Sequence, residues 1–168
     1  MPSLFQTERL DLREFAAGDA EFIFELLNTP KFRKYIGDRG VHSVDDARAT
    51  IEDRYRKSYV DNGFGFYVVE LRETGEAVGI CGFVKRDFLD DVDIGFAFLP
   101  EHEGKGYGYE SAAAAIGYGS EKFGFSRLLA ITSLDNDASV GLLKKLGFSE
   151  KAIIEPQGER LRLFSYTY

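Results

Sequence analysis

The stretch formed by residues 93–123 constrains the fold of this chain more than any other part of the sequence. It opens with an apolar run, 94–99, that predicts a β-strand, and good helix formers fill its second half. Between the two lies a loop with three glycines at alternating positions, Gly104, Gly106 and Gly108. Such a loop leaves several main-chain N–H groups free where it enters a helix, and the helix dipole favours negative charge there. The sequence therefore predicts an anion site, with a phosphate as the expected ligand.

The spacing of these glycines excludes two common phosphate-binding motifs. Lys105 is followed by Gly106, whereas the Walker motif requires Ser or Thr after its lysine to bind magnesium. The dinucleotide motif G-x-G-x-x-G fails because Tyr109 stands where its third glycine belongs. The remaining pattern is Q/R-x-x-G-x-G/A, with Glu103 in the first position and Gly106 and Gly108 in the fourth and sixth. A glycine-rich turn that only opens a helix is the alternative at this point.

A second motif follows at 136–148, where Asn136-x-x-Ser139 precedes the run KKLGF. Together with the glycine loop it resembles the GNAT superfamily of acetyl-coenzyme A dependent N-acetyltransferases, in which both motifs occur in this order. The opening run TERLDLR, at 7–13, is similar to the Rim-type branch, which acetylates the N-termini of ribosomal proteins. The resemblance spans nearly the whole chain, although only the two motifs are specific.

The hydrophobic pattern predicts one mixed α/β domain without repeats or linkers. Alternating segments predict strands at 7–15, 66–71, 77–84, 92–99, 127–132, 148–154 and 161–166. Helical spacing occurs in an insertion at 19–62, behind the glycine loop, and at 140–146. The resemblance implies a single GNAT-like domain over residues 1–168, of the α/β (mixed α+β) class. Its sheet is expected to be mainly antiparallel, with a splayed parallel pair around the cofactor and helices on both faces.

The resemblance also implies a co-substrate, acetyl-CoA, and the residues that bind it. The pantetheine arm is expected between the strand at 92–99 and the strand at 127–132, where it bonds to strand backbone. The pyrophosphate is expected on the amides of the glycine loop. The residues implied for these contacts are Ile94, Phe96, Phe98, Gly104, Lys105, Gly106, Tyr107, Gly108, Asn136 and Ser139. Taken alone, Asn136 and Ser139 are better explained by a helix cap, and the glycine loop elsewhere in the chain is what favours the binding role.

The chain departs from the family pattern at two positions. Glu103 replaces the family's Gln or Arg, so its carboxylate is expected to repel phosphates unless the side chain turns to solvent. Leu143 stands where many members place a tyrosine that protonates the leaving thiolate. That role is expected to pass to Ser139, to a water or to another tyrosine.

Direct transfer to an amine requires a base, because an ammonium group must lose its proton before it attacks. Asp93 resembles the position from which histone-acetylating relatives present a glutamate base, and Glu155 is a second candidate. A solvated acid at a strand edge is the alternative interpretation of Asp93. Main-chain N–H groups of the splayed strand are expected to polarise the carbonyl.

The composition narrows the classes of partner. Acidic residues exceed basic residues by 28 to 21, and the net charge of −7 disfavours nucleic acid and anionic membranes while it favours amines. No apolar run is long enough to cross a bilayer, and the first residues lack the features of a signal peptide, so a cytoplasmic location is expected. Cys81 lies in an apolar run and is expected to be buried and inert. His42 and His102 are too isolated to predict a metal site.

The sequence thus predicts an acetyl-CoA dependent N-acetyltransferase that acts on a primary amine, either a protein N-terminus or a small amine, by direct attack. Substrate choice is expected to lie in the insertion at 19–62, and a homodimer is one arrangement that completes the acceptor cleft. A second hypothesis is a catalytically silent acyl-CoA sensor or interaction module on the same fold. A third, a nucleotide-binding protein, is disfavoured by the missing Ser or Thr after Lys105.

Overall fold

In the computed structural model, which describes residues 2–168, eight strands form one sheet. The strands are β1 (Phe5–Gln6), β2 (Leu10–Arg13), β3 (Phe66–Leu71), β4 (Ala77–Val84), β5 (Asp93–Phe98), β6 (Arg127–Ser133), β7 (Ser149–Ile154) and β8 (Leu161–Thr167). Their order across the sheet is β1-β2-β3-β4-β5-β6-β8-β7. Every neighbouring pair is antiparallel except β5 and β6, which are parallel. The mixed sheet confirms the predicted fold class.

Six α-helices flank the sheet in the described chain. They are α1 (Ala20–Leu27), α2 (Pro30–Tyr35), α3 (Val44–Thr50), α4 (Lys57–Asn62), α5 (Tyr107–Phe123) and α6 (Asp137–Leu146). A π-helical segment, Ile51–Arg56, joins α3 to α4 without a break. Gly124 and Gly147 end α5 and α6 with φ of +69° and +102°, as their positions predict. Among these helices none is long and apolar enough to cross a membrane.

The helices pack on both faces of the sheet and so create two cores. Strand residues alternate between the faces, and the neighbours Val68 and Val69 of β3 belong to different clusters. Val69 lies in the cluster that contains Ala112 and Ala115 of α5, and Val68 lies in the cluster that contains Ile23 of α1. All five side chains are fully buried, and the burial of each valine or isoleucine contributes about 1.5–3 kcal/mol. This packing confirms the expectation of helices on both faces.

Three features were not predicted from the sequence. The short strand β1 forms a hairpin with β2, in which the Thr7 N–H donates to the Leu10 carbonyl at 2.9 Å. Strand β8 lies between β6 and β7, although it is last in the chain. At the π-helical segment the sequence predicts ordinary α-helix, because its apolar residues Ile51 and Tyr55 are four apart, a spacing that suits an α-helix.

Candidate active site

Strands β5 and β6 separate soon after they meet. They pair at one position, Asp93 with Leu129, where the Leu129 N–H donates to the Val92 carbonyl at 2.9 Å. Beyond that position, no strand of residues 2–168 covers the edge of β5 that faces β6. A cleft of about 590 Å³ opens there, between residues 93–97 of β5 and 131–133 of β6. The expected splayed parallel pair is therefore present.

The open edge of β5 presents main-chain hydrogen-bonding groups. Successive residues of a strand direct their N–H and C=O groups to opposite sides. Val92 bonds to β6 and Leu99 bonds to β4, so the even-numbered residues of this strand face β6. Ile94 lies where the pairing ends, whereas Phe96 and Phe98 lie beyond it and have no partner strand on that side in the described chain. This edge suits a ligand that carries amide groups of its own.

The glycine loop brings β5 into α5. Gly104 and Gly106 have φ of +75° and +84°, in the left-handed region that glycine adopts without strain. Helix α5 begins at Tyr107, and no side chain of residues 2–168 caps its first turn. The first N–H groups of this 17-residue helix are therefore left for an anion. A Cβ at Gly108 would lie 3.2 Å from the side chain of Leu142, so this glycine lets α5 approach α6 closely.

Arg9 fixes the loop to the start of β2. Its Nε lies 2.7 Å from Oε1 of Glu110 in the first turn of α5, and one of its terminal nitrogens donates to the Lys105 carbonyl at 2.9 Å. The guanidinium also lies over the Tyr107 ring, 4.6 Å from its centroid. The main chain of Lys105 is thus held, while its side chain has no carboxylate partner among residues 2–168. An anion at the loop would meet this cation.

Glu103, which stands where the family has Gln or Arg, forms an ion pair beside the glycine loop. Its carboxylate lies 2.5 Å from Nζ of Lys31 in α2. The expected turn toward solvent is only partial, because the side chain is 32% exposed and Lys31 holds it. An ion pair beside the loop reduces the negative charge that phosphates would meet.

Asn136 and Ser139 open helix α6, and both line the cleft. Asn136 is the N-cap, and its Oδ1 accepts a hydrogen bond from the Ser139 N–H at 3.3 Å. The helix-cap interpretation is therefore correct for Asn136, whereas Ser139 takes part in the cap only through its main-chain N–H. The Asn136 amide nitrogen and the Ser139 hydroxyl have no hydrogen-bond partner in the described part of the chain, so both groups remain for a ligand.

Two buried hydroxyls at the end of β6 test whether the cleft fits an amide-bearing ligand. Oγ1 of Thr132 and Oγ of Ser133 are buried, line the cleft, and find no partner among residues 2–168. Buried polar atoms without partners cost free energy, so most in native proteins are satisfied. The pantetheine arm carries amide and hydroxyl groups that suit these oxygens, and Ile94 and Phe96 give the cleft apolar walls. The residues present therefore fit acetyl-CoA.

Asp93 is buried at the closed end of the cleft, with 1% of its surface exposed. Its Oδ1 accepts a hydrogen bond from Nε of Arg86 at 3.0 Å. Burial raises the pKa of Asp93 to about 6, although the charge of Arg86 lowers it. The alternative interpretation, a solvated acid at a strand edge, is therefore wrong. A carboxylate with this pKa is still ionised at neutral pH and can accept a proton.

The structure separates the other candidates. Glu155 is exposed and lines a smaller recess of about 430 Å³ beside Arg127, and it is not among the residues that line the main cleft. Leu143 is 1% exposed and belongs to the core, so no hydroxyl is present at that point of α6. Among the predicted cofactor-binding residues, Phe98 and the glycine loop do not line the cleft, because its lining on β5 ends at Ala97.

Several cleft residues were missed by the sequence interpretation. Arg39, Arg54, Tyr55 and Glu159 all line the cleft. Burial raises the pKa of Tyr55 to about 12, although Arg54 and Arg39 lower it. None of the four lies in a recognisable motif, and Arg39, Arg54 and Glu159 are exposed, as charged residues outside a core ordinarily are. The only signal was their place in the insertion at 19–62 and in the last turn, between β7 and β8.

Cys81 and the histidines contribute no chemistry to the cleft. Cys81 is fully buried, and burial raises the pKa of its thiol to about 12, so the expected inert thiol is confirmed. His102 lies beside Glu76, with 2.9 Å between its Nε2 and the Glu76 Oε2. His42 lies 3.4 Å from Asp38. Among residues 2–168 no three His, Cys, Asp or Glu side chains converge to form a metal site.

Comparison with known proteins gives one family. The model of the acetyltransferase (GNAT) domain matches residues 9–149. The chain is 30% identical over 152 residues to the "Uncharacterized N-acetyltransferase YoaA" of Bacillus subtilis (strain 168), and the match covers 90% of this chain and 85% of the relative.

Two solved structures share the fold. Ribosomal-protein-S5-alanine acetyltransferase from Vibrio fischeri superposes with a TM-score of 0.82 at 17% identity, covering 99% of this chain and 97% of that one. Spermidine N-acetyltransferase from Vibrio cholerae, in complex with CoA and spermine, gives 0.79 at 21% identity and covers 96% of both chains.

Proposed function

The chain belongs to the GNAT acetyltransferase family and is an acyltransferase, and on this premise we propose that it moves an acetyl group from acetyl-CoA to a primary amine by direct attack. The observation that carries the proposal is the early separation of β5 and β6. It leaves an open strand edge beside a cleft, and a glycine loop with free helix amides follows at the end of the same strand. A thioester and its diphosphate need these two features in this order.

Acetyl-CoA is proposed to bind along β5 and the glycine loop. The amides at the start of α5, with Lys105, hold the pyrophosphate, and the main chain of Ile94, Phe96 and Phe98 holds the pantetheine arm. The side-chain amide nitrogen of Asn136 donates a hydrogen bond to that arm, because the cap bond to Ser139 uses only the Asn136 oxygen. The unpartnered oxygens of Thr132 and Ser133 support this placement.

The chemistry is proposed to need one base and a set of donors. Bound acetyl-CoA would supply an acetyl group activated as a thioester. An unprotonated amine would form a bond to its carbonyl carbon, and the carbon–sulfur bond would break to release CoA as the thiol. Asp93 takes the proton from the ammonium, because it is buried in the cleft with a pKa of about 6. The open-edge N–H groups of β5 polarise the carbonyl. As the amide forms, the attacking nitrogen loses a second proton, and Ser139, which lines the cleft, is placed to accept this proton while it passes its own hydroxyl proton to the departing sulfur, since Leu143 has none to give.

Glu155 is retained as a second candidate base only for an acceptor that enters from the smaller recess, since it lines that recess. The neighbour structures come from enzymes named for different acceptors, a ribosomal-protein alanine and spermidine. The acceptor is therefore proposed as a primary amine, either a protein N-terminus or a small amine. A homodimer that completes the acceptor cleft remains part of the proposal.

A thermal-shift titration with acetyl-CoA, followed by an amine screen with thiol detection, tests the function. Gly106→Glu is expected to abolish the shift, because it places a carboxylate where the pyrophosphate binds. Gly75→Glu is the matched control, since Gly75 also has a positive φ, +76°, but lies in the turn between β3 and β4. Both variants carry the same added charge and a similar backbone strain, and the Gly106 variant differs in that its Cβ would also lie 3.3 Å from a terminal nitrogen of Arg9.

The outcomes separate the hypotheses. Loss of the acetyl-CoA shift in the Gly106 variant alone supports the proposed phosphate site. Normal binding by that variant contradicts it. Binding of acetyl-CoA without thiol release across the amine screen favours the silent sensor, and tighter binding of ATP than of CoA favours a nucleotide-binding protein.

A further inference from the structure

The cleft has a charge opposite to that of the whole chain. Five basic and three acidic side chains line it, whereas the net charge of the chain is −7. The acidic side chains are Asp61, Asp93 and Glu159. Asp61 pairs with Lys57, and Asp93 pairs with Arg86. The remaining lining charges are mainly positive.

Three of the basic side chains, Arg39, Arg54 and Arg86, form an arginine cluster. All three line the same cleft, Arg39 and Arg54 as exposed side chains and Arg86 as a partly buried one. Partial desolvation and the positive charges of Arg86 and Arg54 lower the pKa of Arg39, so both neighbours lie close enough to repel Arg39. Glu159 opposes this effect on Arg39 but forms no ion pair with it.

The arginine cluster lacks a counter-ion in the described chain. Neither Arg39 nor Arg54 has a hydrogen-bond or ion-pair partner within residues 2–168, and Arg86 uses only its Nε, toward Asp93. Arg54 lies in the π-helical segment, an irregularity that often marks functional sites. Because Arg39 and Arg54 are exposed, water screens part of their repulsion in the free protein. A carboxylate or phosphate bound among the three guanidinium groups would relieve the rest and accept charge-assisted hydrogen bonds from them.

The phosphates of acetyl-CoA, bound as proposed, do not reach the arginine cluster. Arg86 contacts the first residue of β5, Asp93, whereas the glycine loop follows the last, Phe98. At about 3.3 Å per residue, the two ends of this strand lie roughly 16 Å apart. A pyrophosphate bound on the glycine loop is therefore out of reach of Arg86, and the arginine cluster is left for the other substrate.

Arg86 also links the anion to the proposed base. Its Nε bonds to Asp93 at 3.0 Å, while its terminal nitrogens are free of protein partners in the described chain. An anion held by those nitrogens would bring a neighbouring amine to Asp93, which suits a compact molecule with the two groups close together. An α-amino acid and a short amino-phosphate both have this arrangement.

We propose that the acceptor is a small primary amine that carries a carboxylate or phosphate near the amine, and that the arginine cluster binds this anion. The inference rests on the proposed acetyl transfer and specifies its acceptor. A polyamine such as spermidine would bring further positive charge to the arginine cluster and is disfavoured.

Matched amine pairs test this acceptor class. Amino acids are compared with their α-amides, aminoalkyl phosphates with the corresponding amino alcohols, and spermidine is included with a short peptide that has an acidic residue next to its N-terminus. Thiol release gives kcat/KM for each amine, and KM for acetyl-CoA is measured in parallel. Arg39→Gln and Arg54→Gln remove one charge each. Arg160→Gln is the matched control, because Arg160 is exposed and also unpaired in the described chain but does not line the cleft.

The anionic member of a pair is expected to exceed its neutral partner at least tenfold in kcat/KM. Arg39→Gln and Arg54→Gln should each remove about tenfold of that preference while KM for acetyl-CoA stays within about twofold. Arg160→Gln should leave both values unchanged. Preference for spermidine or for the peptide, or a rise in KM for acetyl-CoA in the arginine variants, would overturn the inference while acetyl transfer itself stands. Failure of the wild type to bind acetyl-CoA would instead refute the proposed function.

Discussion

At Asp93, burial and a charged neighbour act on the same carboxyl in opposite directions. Burial has the larger effect, so its pKa rises to about 6 despite the Arg86 bond. A base must be deprotonated, so kcat/KM is expected to rise with pH through an apparent pKa of about 6. Asp93→Asn should lower turnover and remove this acidic limb, while most of the acetyl-CoA thermal shift remains. A limb that persists in the variant would assign the base elsewhere.

The same residue makes a prediction about stability. Between its ordinary pKa, 3.8, and about 6, the folded state holds a proton at Asp93 that the unfolded state has lost. The contribution of Asp93 to the free energy of unfolding is therefore present at low pH and falls as pH rises through this window. Relative to Asp93→Asn, the wild type should lose about 2 kcal/mol between pH 4.5 and 7 in urea unfolding. An equal pH dependence in both proteins would contradict the raised pKa.

Asn136 combines a structural and a proposed binding role, and one substitution separates them. Asp is as good an N-cap as Asn, so Asn136→Asp keeps the oxygen that accepts from Ser139 and removes the amide donor. Its melting temperature is expected to match the wild type, while KM for acetyl-CoA rises about tenfold through the lost hydrogen bond and the added charge. Asn136→Ala, which also loses the cap, should cost about 1 kcal/mol of stability. An unchanged KM in Asn136→Asp would leave the residue with the cap alone.

At the scale of elements, the glycine loop depends on its neighbours α2 and β2. Lys31 of α2 holds Glu103, whose carboxylate would otherwise oppose a bound pyrophosphate. Glu103→Gln is expected to lower KM for acetyl-CoA by about two- to fivefold at low salt, and less at high salt because of screening. Lys31→Ala should raise it. In the double variant, the effect of Lys31→Ala should disappear, and its persistence would show that Lys31 acts on the coenzyme directly.

The elements that sequence predicts well are those with a clear local period. The sequence predicts strands β3 and β4 with their observed bounds, because each is a short apolar run bounded by polar turn residues. The order of β8 between β6 and β7 depends on long-range pairing, which no local pattern encodes. The site divides in the same way. The glycine loop and the Asn136 cap follow from short motifs. The arginine cluster combines Arg39 and Arg54 of the insertion with Arg86 of the loop between β4 and β5, and no local pattern links them.

At the scale of the whole molecule, one continuous sheet links the insertion to the cofactor side. The family model covers residues 9–149, and the sheet continues beyond it through β8. We therefore expect residues 1–168 to unfold as one cooperative domain. Urea transitions followed by far-UV circular dichroism and by the fluorescence of the nine tyrosines, in a chain without tryptophan, should coincide. Separate midpoints would show that the insertion unfolds by itself.

The central claim is that the gap between β5 and β6 holds the coenzyme. A crystal structure of the complex with CoA tests it most directly. The predicted result is a pantetheine arm between the two strands, hydrogen-bonded to the main chain of Phe96 and Phe98, with the pyrophosphate on the first amides of α5. A CoA molecule bound outside this gap, or a pyrophosphate at the arginine cluster, would contradict the account.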